Sequence, residues 1–199
     1  MIVITGFTAF ASVDVNPSQK IIEYIQAQKF DDVVAEVLPV TFQTAGERVR
    51  ELIREYQPQA MIMLGVAGGR KAISLERFAL NINDAHVPDN SGKQANGQAI
   101  VSNGVDAYRS TLPLATMKAQ LEMQKIPIMY SNHAGAYVCN HIFYCARHEM
   151  DTLSLDVPCG FIHIPMMKEA DQNGAEVGLP LQTMIDAVLS CLDVIREGV

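Results

Sequence analysis

The chain has 199 residues, 49% of them hydrophobic, enough for one sizeable core. Its 15 basic and 22 acidic residues leave a formal net charge of −7 with no basic block, which argues against nucleic acid as a partner. No apolar run reaches the ~18 residues of a membrane span and Met1–Ile4 runs straight into Thr5-Gly6 without a secretory leader, so a cytoplasmic protein with no membrane partner is expected.

Short apolar runs alternate with amphipathic stretches, the pattern of an α/β fold whose helices cover both faces of a sheet. No repeat or compositional break divides residues 1–199, which are read as a single domain. Met1–Thr5 is the first predicted strand. Asn16-Pro17-Ser18-Gln19 then opens a helix: Asn16 can cap it, Pro17 suits its first position and Gln19 can reach back to the cap. Ile21, Ile22, Tyr24 and Ile25 continue it at helical spacing. A strand over Val33–Val40 ends near Pro39, and Thr44–Tyr56 carries Val49, Leu52 and Ile53 on one helical face. Ala60–Val66 is almost wholly apolar, as a strand buried on both faces would be. The glycines of Gly65–Gly69 fit neither phosphate-loop pattern and are expected to allow a tight turn close to a ligand or another backbone. Asp84–Gly104, polar and rich in Gly, Asn and Pro, is too long for a plain connection and reads as a functional excursion of the kind that lids a site. Ile126–Ser131 is the next strand, and Asn132–Ala136 turns it into a helix over Cys139–His148. A strand at Gly160–Ile164 and a helix at Leu181–Arg196 finish the chain.

The four cysteines, Cys139, Cys145, Cys159 and Cys191, show no C-x-x-C spacing and read as free thiols of a reducing compartment. Cys139-Asn140-His141 alone is too little for zinc, so neither metal nor cofactor is expected. Cys139 follows a small-residue loop at the predicted start of a helix, where free N–H groups favour a thiolate and an oxyanion; the bland alternative is a buried small hydrophobe. A thiol nucleophile needs a base, and five histidines compete. His163 ends an apolar strand, where ligands gather in open α/β sheets, although it also fits a core histidine. His133 and His141 lie too near Cys139 in the chain to aim a ring at its sulfur, and His148 is expected to face solvent at a helix end. Glu76 is an acid inside an otherwise apolar stretch; it could orient the base or form an ion pair with Arg70 or Arg77.

At these residues the sequence resembles the pyroglutamyl peptidase I family, also called pyrrolidone-carboxylate peptidases. The likeness is carried by Thr5-Gly6-Phe7-Thr8-Ala9-Phe10 with Asn16-Pro17-Ser18, by Leu38-Pro39-Val40, and by Glu76-Arg77-Phe78-Ala79-Leu80-Asn81. Asp84-Ala85-His86-Val87-Pro88-Asp89-Asn90, Ser131-Asn132-His133-Ala134-Gly135-Ala136-Tyr137-Val138-Cys139-Asn140 and Gly160-Phe161-Ile162-His163-Ile164-Pro165 complete it, in order over about residues 1 to 165. The resemblance implies a catalytic triad of Cys139, His163 and Glu76, a three-layer α/β/α sandwich around a twisted mixed central sheet, no metal, and often a homotetramer. It implies hydrolysis of peptides after an N-terminal pyroglutamyl residue, through a thioester acyl-enzyme. It points to Phe7, Phe10, Val87, Tyr137 and Val138 around the lactam ring, with Asn16 as a polar neighbour that also suits a plain helix cap. Three positions depart from the pattern: Ala9 stands where proline is usual, His86 where arginine is frequent and His133 where a small residue is common. A cysteine amidase for another small acyl amide and a silent binding module on the same scaffold are the competing readings.

Overall fold

The computed structural model describes residues 1–10, 15–167 and 178–198. Successive side chains of a strand point to opposite faces, and strand β1 (Ile2–Phe7) uses this to build two cores at once. Ile2 and Ile4 enter one core; Val3 and Phe7 enter the other. The same division recurs in β3 (Ala60–Val66), where Ile62 and Leu64 oppose Met61 and Met63. The first core is closed by α1 (Pro17–Gln28), α3 (Leu114–Met123) and α5 (Leu181–Gly198), and the second by α2 (Phe42–Tyr56) and α4 (Val138–Thr152).

Between them lies a seven-stranded sheet in the order β2-β1-β3-β7-β4-β5, with β6 paired to β4. Strands β2 (Val33–Leu38), β1, β3 and β7 (Cys159–Ile164) run parallel. Strand β4 (Ile73–Leu80) is antiparallel to β7 and to β5 (Ala107–Arg109), but parallel to β6 (Ile128–His133). This is the expected α/β/α sandwich with a mixed central sheet. Among the described residues no helix is long and apolar enough to cross a membrane.

Three elements are absent from the sequence reading, and each has a physical reason. Strand β4 is buried through Glu76 and then exposed at Arg77 and Phe78, so it neither alternates nor reads as wholly apolar. Helix α3 buries only Met117 and Leu121, too few for a recognisable stripe. Strand β5 is short and largely exposed.

Asn16 caps α1 as expected, its Oδ1 accepting from the Ser18 amide at 3.0 Å and the Ser18 hydroxyl at 2.8 Å, while its Nδ2 donates to Thr8 O at 2.9 Å. Gln19 does not reach back to the cap; it donates to Glu23 instead. His148 is half-buried rather than facing open solvent, with its Nδ1 2.9 Å from the Tyr108 hydroxyl.

The stretch from Asp84 to Gly104 is pinned at several points. Thr41, at the N-cap of α2, makes no side-chain cap bond, and the Phe42 amide donates instead to Asp89 Oδ2 at 2.9 Å. Asp89 Oδ1 accepts from the Ser91 and Lys93 amides and the Ser91 hydroxyl. Burial raises the carboxyl of Asp89, but these hydrogen bonds outweigh it and hold the group below its ordinary range. Asn90 Nδ2 donates to Ala9 O at 3.0 Å, tying the excursion to the loop that carries Phe10.

Candidate active site

The carboxyl ends of β1, β3 and β7 converge at Phe7, Gly65 and His163, and Gly65 is the register partner of His163. Cys139 follows the carboxyl end of strand β6 (Ile128–His133), which lies at the other edge of the sheet. Strand β6 runs antiparallel to β7, so the chain returns through residues 134–137 and brings in Cys139 at the start of α4. The thiol stands over Gly65: a Cβ added there would lie 2.8 Å from Cys139 Sγ. This is the close approach the glycine run implied, made by a side chain.

Asn140 anchors that helix start. It is buried at 0% exposure, its Oδ1 accepts from the Leu80 amide at 2.8 Å, and its Nδ2 donates to the Leu80 and Ile82 carbonyls. The helix's first-turn amides precede the bond from His141 N–H to Tyr137 O, so the Cys139 N–H belongs to the group that points out of the helix end. A polar residue beside the candidate nucleophile, facing otherwise apolar helix positions, was the available signal for Asn140.

His163 and Glu76 are both buried, and His163 Nδ1 lies 2.7 Å from Glu76 Oε1. That contact occupies Nδ1 and leaves Nε2 as the ring nitrogen available to the thiol side. No hydrogen bond joins Cys139 Sγ and the ring among the described residues. The alternative partner of Glu76 is also present, because Arg70 Nη1 donates to the same Oε1 at 2.7 Å. Burial raises the Glu76 carboxyl, yet the hydrogen bond and charge of His163, with Arg70, hold it below its ordinary value. The His163 imidazole is lowered, first by burial, against the opposing pull of Glu76. Burial and the negative charge of Glu76 push the Cys139 thiol up to about 12, against the opposing effects of its own amide and of Arg70.

Beside the sulfur lies a small cavity walled by Phe7, Phe10, Asn16, Tyr137 and Val138, five of the six residues expected around a lactam, with Val40 and Val66 completing it. Val87, 50% exposed, is not on its wall. The Tyr137 hydroxyl donates to Pro88 O at 3.1 Å, so the excursion touches the cavity from outside. His86 is exposed, and His133 Nδ1 accepts from the Gly135 amide at 3.2 Å. Cys145, Cys159 and Cys191 are buried free thiols, and no group of His, Cys, Asp and Glu suited to a metal ion occurs among the described residues.

A family model described as pyroglutamyl peptidase matches residues 1–197. The pyrrolidone-carboxylate peptidase of Oceanobacillus iheyensis is 43% identical over 197 residues, covering 96% of this chain and 98% of that one. The Pyrococcus furiosus protein of the same name is 38% identical over 170 residues, or 84% and 82% of the two chains. A mutant pyrrolidone carboxyl peptidase from Pyrococcus furiosus superposes with a TM-score of 0.92 at 33% identity, over 99% of this chain and 98% of its own. Bacillus amyloliquefaciens pyroglutamyl peptidase I gives a TM-score of 0.91 at 32% identity, over 98% and 96%.

Proposed function

The chain belongs to the pyroglutamyl peptidase family, and from that membership we propose that it is a cysteine exopeptidase that hydrolyses the amide bond after an N-terminal pyroglutamyl residue, with Cys139 as nucleophile, His163 as base and Glu76 as the group that orients the base. One arrangement carries the reading. Glu76 occupies Nδ1 of His163, leaving Nε2 for a thiol that stands over Gly65 on the wall of an uncharged cavity. Pyroglutamate is a neutral lactam without a free α-ammonium, so an apolar slot with few polar groups suits it, and Asn16 is the amide within that slot.

Burial moves the thiol up and the imidazole down, so in the free enzyme the proton rests on sulfur. As Sγ attacks the pyroglutamyl carbonyl, His163 takes that proton, and the oxyanion forms against the Cys139 N–H at the helix start. Collapse breaks the amide bond, and the leaving amine takes the proton from His163. Water then loses a proton to the same ring and attacks the thioester, releasing pyroglutamate and restoring the thiol.

Turnover of a chromogenic pyroglutamyl amide tests the assignment. Cys139→Ala should abolish it, and His163→Ala should lower kcat by roughly 100-fold to 10,000-fold. Glu76→Gln should fall between His163→Ala and wild type. A prolyl analogue should be cleaved poorly by all, which separates this activity from a general cysteine amidase. Normal turnover by Cys139→Ala would sink the reading.

The proposal extends to a single peptidase domain acting as a homotetramer in the cytoplasm on small peptides. Four free cysteines suit a reducing compartment. Phe78 and Met129, 37% and 44% exposed on paired strands β4 and β6, offer apolar surface to a second copy.

A further inference from the structure

The Glu76 carboxylate carries a partner that orienting a base does not require. Its Oε1 accepts from both His163 Nδ1 and Arg70 Nη1, each at 2.7 Å, while Oε2 accepts no hydrogen bond. Arg70 sits in the turn between β3 and β4 and donates Nη2 to Ser131 Oγ at 3.3 Å. Its side chain is 30% exposed where that of Glu76 is 0% exposed, so the guanidinium lies between a buried carboxylate and solvent. Among the described residues, the titratable and charged groups set around the His163 ring are Glu76 on β4, Cys139 on α4 and Arg70; β3 presents Gly65 there.

Building on the triad reading above, we propose that Arg70 is a positioning residue that keeps His163 unprotonated by neutralising Glu76. A buried carboxylate facing an imidazole alone stabilises the imidazolium, and an imidazolium cannot accept the thiol proton. A guanidinium on the same oxygen cancels much of that field. Contact from two sides also holds the carboxylate rotation that aims Oε1 at Nδ1. The downward displacement of His163, led by burial and assisted by Arg70, agrees in direction.

The test is the pH profile of kcat/KM for a pyroglutamyl amide in wild type, Arg70→Gln, Arg70→Lys and His163→Ala. Without the cation the protonated ring gains stability, so the acid limb of Arg70→Gln should move up by about one pH unit while most activity survives on the alkaline plateau. Arg70→Lys keeps the charge and should stay with wild type. An unmoved limb in Arg70→Gln, even with a uniform fall in rate, overturns the proposal, as does a lysine variant displaced as far as the glutamine one. Activity retained by His163→Ala would instead overturn the triad reading beneath it. Should circular dichroism find Arg70→Gln unfolded, Arg70→Met, a neutral side chain of similar length, takes its place, and an unmoved limb there is equally fatal.

Discussion

A methyl group added at Gly65 would lie 2.8 Å from Cys139 Sγ and 2.7 Å from Cζ of Phe161, closer than carbon tolerates. Neither neighbour yields easily: Phe161 is fully buried, and Cys139 is held by a helix start that Asn140 fastens to the end of β4. Gly65→Ala should therefore move the nucleophile. A displacement near 1 Å costs on the order of 100-fold in rate, and overpacking costs about 1–3 kcal/mol of stability. Steady-state kinetics with a denaturation curve measures both, and wild-type kcat/KM in this variant would show that the sulfur does not depend on the missing Cβ.

Asp89 supplies from a distant loop the cap that helix α2 lacks at its own N-cap residue. The same carboxylate gathers the Ser91 and Lys93 amides, and the next residue fastens the loop to Ala9. Helix start, excursion and the wall that carries Phe10 thus share one anchor. Asp89→Ala removes the cap, worth about 1 kcal/mol, and deprives the partly buried Ser91 and Lys93 amides of their acceptor, for a combined loss of about 1–2 kcal/mol. A raised KM for the pyroglutamyl amide should accompany it as the Phe10 wall loosens. A urea midpoint equal to that of wild type would contradict this account of the excursion.

For the molecule as a whole, a set of buried ionisable groups costs stability in acid. His141 lies under α2, with Nδ1 3.1 Å from Asn83 Oδ1 and its ring edge-on to Phe42. Burial, aided by Arg50 and Lys93, lowers it from 6.5 to about 4. Between those values the unfolded chain binds a proton that the folded chain refuses, so stability falls as pH drops through that window, by on the order of 3 kcal/mol. His163 is depressed in the same sense. Asp89 and Glu76, held below their ordinary values, contribute stability that is present above the unfolded carboxylate range and is lost below it. Urea unfolding at pH 7 and pH 4.5 should show the loss, and His141→Gln should flatten it. Equal stability at the two pH values would refute the burial argument.

Local patterns sufficed for much of this protein. The apolar runs of β1, β3 and β7, the stripe of α2 and the Asn16 cap are set by period and side-chain chemistry within a few residues, and they appear where the sequence puts them. Strand β4 was not legible, because its first half is buried on both faces and holds working polar groups while Arg77 and Phe78 are exposed, which leaves no clean period. The path of Cys139 was not legible either, since strand direction is a property of the whole sheet. Glu76 illustrates the boundary best. The sequence allowed it His163, Arg70 or Arg77, and the structure joins it to the first two at one oxygen. Arg77 is instead turned to Asn132 and the Tyr130 ring. Neighbours on a strand face opposite sides of the sheet, and only the assembled sheet determines what waits on each side.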